Sequence, residues 1–451
     1  MENHMDFNIS KPGRLMVKMC IPSVITILVM QIYHMADTFF IGKLGSPAML
    51  SGLSLASPII AILSTVGVLV GGGGSAALAM ALGRKDSISS AKIVSFSFWS
   101  SLGLGTVVGG ILLGTLNKLV PFFGASPEAS VYCRQYILIL AAGAPAMCFP
   151  QAMGSLIRGK GKSYQSLIGN MVGSVLNILL DPLFIFVLKM DVRGAAIATV
   201  TSNLVASFFY VIYLNQPSFG ISASIKNFTM KRETSLTVLS LGLPMAFTTI
   251  ITFISSILSN KILASYGDII ISSVSITRKI ISFVTMLQMG ITAGMQPVLA
   301  FLFGSGNYKD LKIFTRRTAL ATIVAGSLLT ATCYVSGPSL IRAFMNNPNV
   351  IDNGVRCIRI MLLAGPVAGL QQLATTFFQT TKRPLISLAL SLTRDGLIYL
   401  PVLFLFNSIW GFSGYLVARP VATSTSALLG LVLIFTLFPK GHGDLKDKKL
   451  I

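Results

Sequence analysis

Long apolar runs alternate with short polar connections along the whole chain. A helix needs roughly 20 apolar residues to cross the hydrocarbon core of a bilayer. Twelve stretches meet that length, at about 15–38, 51–82, 93–116, 133–156, 165–188, 194–214, 236–264, 270–300, 316–336, 356–378, 385–406 and 411–438. The pattern predicts an all-α polytopic membrane protein of about 12 transmembrane helices in two six-helix lobes. Lys and Arg cluster in alternate connections: Arg84, Lys85 and Lys92; Arg158, Lys160 and Lys162; Lys309, Lys312, Arg316 and Arg317; and the tail Lys440 to Lys449. The intervening loops hold fewer, so both termini are expected on the cytoplasmic side.

Polar positions inside the apolar runs come next. Asp181 sits in the fifth stretch, with Asn177 one turn before it and Ser174, Gly173 and Asn170 on the same face. Lipid cannot satisfy such a stripe, so it points toward protein or trapped water. A carboxylate at that depth costs about 2.5–3.5 kcal/mol by insertion scales, which makes it a functional candidate by default. Pro182 follows it, removes a backbone donor and loosens the helix locally. In the first stretch Ser23, Thr26, Met30, Tyr33 and Asp37 step by three or four along one face. The sixth contributes Thr199, Ser202 and Asn203.

The longest hydrophilic connection, about 215–235, divides the chain near its middle, giving expected lobes at 1–219 and 220–451. The halves repeat. Pro22 precedes Pro244 by 222 positions, Gly45 precedes Gly267 by 222, and Pro145 precedes Pro366 by 221. Six spans in each half make a parallel repeat about an axis along the membrane normal, an architecture in which the substrate path runs between halves that rock. Symmetry breaks at the acids: Asp37 falls opposite Ser259, and Asp181 opposite the neighbourhood of Leu400.

Composition sharpens the class. Hydrophobic residues make up 53% of the 451 and charged residues 11%, far below the roughly 25% of a soluble domain. A net charge of +21 fits positive-inside topology and anionic lipid; with no soluble domain to hold it, nucleic acid is not an expected partner. Cys20, Cys133, Cys148, Cys333 and Cys357 form no CxxC pair and read as small buried thiols. The run Gly71 to Gly74 lacks the Gly-Lys-Ser/Thr of a phosphate loop and instead suits close helix approach. No nucleophile–base constellation is visible, so the chain is not expected to be an enzyme or to need a cofactor beyond a coupling ion.

Two carboxylates, an amide and a hydroxyl (Asp37, Asp181, Asn177 and Thr199) can form an oxygen cage for a hard cation such as sodium. The same group can hold a proton, because burial disfavours a charged acid. Residue types do not separate the two ions. The second half is poorer in acids, with Asp395 beside Arg394; adjacent helical residues point about 100° apart, so these need not pair. Arg278 lies well inside the eighth span, and a hydrogen-bond hub is the first expectation for it. Met30, Tyr33, Asn170, Ser174, Asn203, Arg278, Gln288 and Asp395 are the candidate lining of a substrate cavity.

Assembled, these residues resemble the multidrug and toxic compound extrusion (MATE) family. The resemblance rests on Asp37-Thr38-Phe39-Phe40-Ile41-Gly42 ending the first helix and Gly194-Ala195-Ala196-Ile197-Ala198-Thr199 opening the sixth. It is completed by Asn177-x-x-x-Asp181-Pro182 in the fifth and Gly294-x-Gln296-Pro297 in the eighth. It implies a cation-coupled exporter of bulky, often cationic organic compounds and drugs, working in the cytoplasmic membrane of a bacterium by antiport with H+ or Na+; a monomer suffices. It further implies that Asp37, Asn177, Asp181 and Thr199 form the cation site, as in the DinF-like branch. The other branch uses an acid in the seventh helix, and here 236–264 contains no Asp or Glu. The rival reading is a flippase or exporter of a lipid-linked or polar metabolite, which calls for a strongly basic cavity. Arg278 is compatible with that, but inward acids are not what it predicts.

Overall fold

The computed structural model describes residues 12–42, 47–122, 127–217, 219–344 and 347–438. Every long element in it is helical, as continuous apolar sequence in a bilayer requires: each backbone donor must find its acceptor within the same segment. The first half contains α1 (Pro12–Gly42), α2 (Pro47–Gly83), α3 (Ser87–Phe122), α4 (Pro127–Ala142), α5 (Ala144–Gly159), α6 (Ser163–Pro182) and α7 (Asp191–Leu214). The second contains α8 (Arg232–Leu263), α9 (Asp268–Gly304), α10 (Tyr308–Arg342), α11 (Pro348–Met361), α12 (Gly365–Thr380), α13 (Pro384–Leu392) and α14 (Tyr399–Leu437).

Three expected spans are not single straight helices. The fourth, expected at 133–156, is the pair α4 and α5, bent by 58°, and the tenth is α11 and α12, bent by 48°. Pro145 and Pro366, at the second position of α5 and α12, lack the N–H that would tie each helix to the one before it. The twelfth span is continuous with the eleventh by hydrogen bonding, but the chain reverses at Gly411, whose φ of 55° and ψ of −134° suit only glycine. A Cβ on Gly414 would collide with the carbonyl of Phe406. Eight residues along an unbroken helix those groups would stand about 12 Å apart. Gly194 packs in the same way against the Phe184 backbone in the first half, at 2.8 Å. With the break and the bent pairs counted as spans, the described residues agree with a twelve-helix arrangement.

The described chain falls into two units, one of residues 25–246 and one of 12–24 with 247–438. In the first, α2 is touched on several sides, and the four successive glycines explain how. A Cβ on Gly71 would lie 2.6 Å from Ala152 of α5, and one on Gly72 2.6 Å from Met245 of α8. One on Gly73 would strike the Val238 carbonyl of α8, and one on Gly74 the Ser97 hydroxyl of α3. The glycine run is thus a packing device, as close-approach glycines are in other membrane helices. Its core includes Ile59, Leu63, Tyr136, Ile137 and Val192. In the second unit, a Cβ on Gly294 of α9 would lie 2.6 Å from the Met19 carbonyl oxygen of α1, and the Cys20 thiol reaches the Ile291 carbonyl at 3.5 Å. Leu263, Val274, Leu403 and Leu416 form one core cluster there.

All five cysteines are free and buried. Outward faces are apolar: Leu320, Val324, Leu328 and Val335 follow one side of α10, Val335 being 85% exposed. An exposed apolar face of that length suits the hydrocarbon core of a bilayer. The turn into α3 is capped by Asp86, whose Oδ1 accepts from the Ser89 backbone N–H at 2.9 Å. Hydrogen bonds from Ser89, side chain first, hold the Asp86 carboxyl below its ordinary 3.8.

Candidate functional site

The first unit encloses a cavity of about 200 Å³ between α1, α2, α5, α6 and α7. Among the expected residues, Met30, Asn170, Ser174, Asn177 and Asn203 converge on it, joined by Gln151. The i to i+4 spacing on α6 places Asn170, Ser174 and Asn177 along one edge. Gly173 lets α7 come close, its Cβ position lying 3.2 Å from Ala206.

At one end of this stripe, Asp181 is completely buried and Asn177 is 1% exposed. The Asn177 Nδ2 donates to the Thr199 hydroxyl at 3.4 Å, and its Oδ1 has no hydrogen-bond partner among the described residues. An amide oxygen in that condition is an acceptor waiting for a donor or a cation. Thr199 is held in turn: its carbonyl accepts from Ser202 Oγ at 3.0 Å and Asn203 Nδ2 at 2.8 Å. Pro182 ends α6, and a π turn follows over Leu183–Val187, closed by Leu188 N–H to the Leu183 carbonyl at 2.9 Å. The loosening expected from Pro182 takes that form, directly beside Asp181.

At the other end, Asn170 donates to the Ser166 carbonyl at 2.8 Å and to the Tyr210 hydroxyl at 2.9 Å. Tyr210 donates to the same carbonyl at 2.9 Å. Tyr210 ties α7 to α6 and fixes Asn170; nothing in its sequence spacing had singled it out. Tyr33 and Asp37 lie on α1, but their side chains fall outside the described residues. Among the described residues, no three of His, Cys, Asp or Glu come together as a metal centre would require.

The second unit holds a different cavity, of about 280 Å³, between α8, α9, α11 and α14. Arg278 and Arg419 both line it, with Ser255, Ser259, Tyr399 and Tyr415. Arg278 is the hub that was expected: Nη1 donates to Asn260 Oδ1, and Nη2 to Ser259 Oγ at 2.8 Å and to the Tyr415 hydroxyl. Asp395 departs from expectation. It is fully buried and does not line the cavity, and it pairs with Arg394 through Nη2 at 2.6 Å and Nε at 2.9 Å. The helix is a π turn over Thr393–Leu397, which changes the angular spacing of ordinary helix and lets adjacent side chains meet. Arg419 contributes a second ion pair at 2.9 Å. Arg394 is anchored further by the Gln371 amide oxygen at 2.8 Å.

Gln288 also differs. Its Nε2 donates to the Gly365 carbonyl at 2.8 Å and the Thr322 carbonyl at 3.2 Å, so it braces α9 against α12 and α10 and lines neither cavity. Arg419 was the residue that sequence reasoning missed. Its signal was present, a guanidinium inside the last apolar stretch followed by Pro420, where a charge is costly unless it has a task.

Known proteins share this architecture. The model of the MatE family matches the chain twice, over residues 22–183 and 244–405, the second match beginning 222 residues after the first. That spacing is the internal repeat. The chain is 28% identical over 435 residues to the multidrug export protein MepA of Staphylococcus haemolyticus, covering 96% of this chain and 95% of that one. It is 26% identical over 437 residues to MepA of Staphylococcus aureus, with the same coverage. A MOP superfamily transporter from Pyrococcus furiosus superposes with a TM-score of 0.91 at 21% identity, over 99% of this chain and 100% of that one.

Proposed function

This chain belongs to the MATE family of membrane transporters, and from that premise we propose that it exports bulky, often cationic organic compounds by antiport with H+ or Na+. Its MepA relatives carry the name of multidrug export proteins. One observation carries the coupling part of the reading. In the first unit, Asn177 lines the cavity with an unsatisfied side-chain oxygen, donates to the Thr199 hydroxyl of α7, and lies one helical turn before the buried Asp181 carboxylate. Hard cations take oxygen ligands of this kind, and a buried carboxylate equally accepts a proton. Asp37 on α1 completes the proposed set, as in the DinF-like branch.

The cycle runs as an exchange. A cation entering from outside neutralises Asp37 and Asp181. The packing of α1 on α6 and α7 changes, the π turn after Pro182 giving the end of α6 room to adjust. Drug affinity falls and the drug leaves outward; the cation then leaves inward as the halves rock back. Exchange requires that each ligand prefer a different state, since a ligand with equal affinity for both shifts nothing. Met30 and Met147 at the cavity wall supply adaptable apolar contact for unlike substrates. Both termini face the cytoplasm in this reading.

The test uses pump-deficient bacteria loaded with a fluorescent organic cation and then energised. Wild type, Asp37→Asn and empty vector are compared at equal expression. Wild type is expected to clear the dye and Asp37→Asn to retain it. Wild type indistinguishable from empty vector across several dyes would overturn multidrug export. Equal clearance by both proteins would leave export standing and remove Asp37 from the coupling site.

A further inference from the structure

We propose that the cavity of the second unit is an oxyanion site, built to take the carboxylate or phosphate group of an amphiphilic compound. The proposal deepens the export reading by adding acidic and zwitterionic compounds to the substrate class. It rests on three observations about charge, donors and shape.

Charge comes first. Arg278 and Arg419 line this cavity, and Arg394 joins Arg419 on Asp395, the one carboxylate that pairs with any of the three among the described residues. Asp395 is fully buried and already engaged by both Arg394 and Arg419. Among the described residues, Arg278 donates to the neutral oxygens of Asn260, Ser259 and Tyr415 and pairs with no carboxylate. A guanidinium inside a membrane protein without a counter-charge is costly, and such residues mark ligand paths or binding sites.

Donors come second. Arg419 offers one Nη to Asp395 and lays its guanidinium over the Tyr399 ring, 4.9 Å from the centroid. That stacking fixes the plane of the fork while its side chain stays 36% exposed. A guanidinium carries five donors, so an ion pair to one oxygen leaves others for a ligand. Planar forks of this kind match carboxylate and phosphate in a bidentate way. The hydroxyls of Tyr399, Ser259 and Tyr415 form a chain, at 3.0 and 3.1 Å, that ends on Arg278. Rotating hydroxyls can turn their protons toward an incoming anion at little cost.

Shape comes third. The space has about 280 Å³, enough for a charged head group, and its wall includes Ile281 and Met361 for an apolar body. The first unit's cavity shows no such gathering of guanidiniums. Its lining is amides, hydroxyls and uncharged apolar side chains such as Leu63 and Met147.

The experiment uses the full-length protein in nanodiscs of zwitterionic lipid, with tetramethylrhodamine free acid and its methyl ester as fluorescent probes. The two differ by one carboxylate. The free acid is expected to bind at least tenfold tighter than the ester. Arg419→Gln and Arg278→Gln are each expected to abolish that preference while leaving ester binding in place, Arg419→Gln with a lowered melting temperature because it takes one partner from the buried Asp395. Arg419→Lys, which retains charge without the fork, is expected to keep part of the preference, so that a loss from misfolding is recognisable. Displacement of the acid by short-chain phosphatidylglycerol assigns the oxyanion to a lipid head group. Displacement by excess unlabelled carboxylate alone assigns it to a soluble amphiphile. Equal affinity for acid and ester in the wild type, or a preference that survives both Gln substitutions, overturns the site. Acid-selective binding with no efflux of any dye would instead leave the site and remove the export reading, so the two failures are distinguishable.

Discussion

Asp181 and Asp395 are both completely buried, and both sit at a π turn of a membrane helix. Their surroundings differ. Asp181 lies one turn from Asn177, which bonds to Thr199 and keeps an unsatisfied oxygen. Asp395 is gripped by Arg394 and Arg419, and its backbone carbonyl accepts from Ser255. The two acids are not counterparts in the repeat, since Asp181 falls opposite the neighbourhood of Leu400, and the side chains described around each differ in charge. A carboxylate that neighbours amides and hydroxyls can exchange a cation. One clamped between two guanidiniums is held by charge, and in the proposed oxyanion site Arg419 is the group that meets the ligand.

The sharpest way to break this contrast is to neutralise each acid in turn. Asp181→Asn is expected to reduce energised dye efflux to the level of empty vector with the protein still folded. Asp395→Asn is expected to leave cation-coupled efflux measurable but to lower the melting temperature in detergent. Stranding guanidiniums in a dry interior costs about 3–5 kcal/mol, and about half of that is expected here because Arg394 and Arg419 are partly exposed. If the two substitutions have the same phenotype, the contrast fails.

Packing sharpens it next. Gly73→Leu in the first unit sets a side chain against the Val238 carbonyl, and Gly294→Leu in the second sets one against the Met19 backbone. Each is expected to destabilise by at least about 1–3 kcal/mol, since backbone cannot step aside as a side chain can. Thermal unfolding checks both, and equal losses would mean that the two units share one packing logic despite their different chemistry. Smaller effects follow from hydroxyl removal. Tyr210→Phe removes one of the two acceptors of Asn170 and the bond from Tyr210 to the Ser166 carbonyl, and is expected to cost about 1 kcal/mol. Tyr415→Phe removes an acceptor of Arg278 and is expected to weaken oxyanion binding more than stability.

The smallest effect lies outside the membrane. Asp86→Ala removes the cap of α3 and is expected to cost about 1 kcal/mol at neutral pH. The folded state holds this carboxyl below its ordinary 3.8, so the contribution is present above that value and is lost as pH falls through the lowered one. Wild type and Asp86→Ala should therefore converge in melting temperature in acid. A constant difference down to low pH would show that the cap acts through shape alone.

Much of this was legible in the sequence, for identifiable reasons. Span length and apolar content follow from bilayer thickness, so the helices and the break near Gly411 could be read directly. The stripe of Asn170, Ser174 and Asn177 was legible because helical spacing puts these residues on one face. The pairing of Asp395 with Arg394 was not, because adjacent side chains diverge on an ordinary helix, whereas the chain here forms a π turn that no proline announces. Gln288 was misplaced because an amide in a span can brace backbone carbonyls as readily as line a cavity. The bends at Pro145 and Pro366 were visible as an aligned proline pair, yet their consequence for helix direction needed the fold.

The central claim is that ion coupling resides in the first unit. It is tested most directly in proteoliposomes, by following dye export together with internal pH and sodium. An imposed proton or sodium gradient should drive dye movement, and dye should drive counter-movement of the same ion. Asp181→Asn is expected to abolish both directions of coupling, while Asp395→Asn retains both. Ion flux that persists unchanged in Asp181→Asn, or that disappears only in Asp395→Asn, would contradict the assignment.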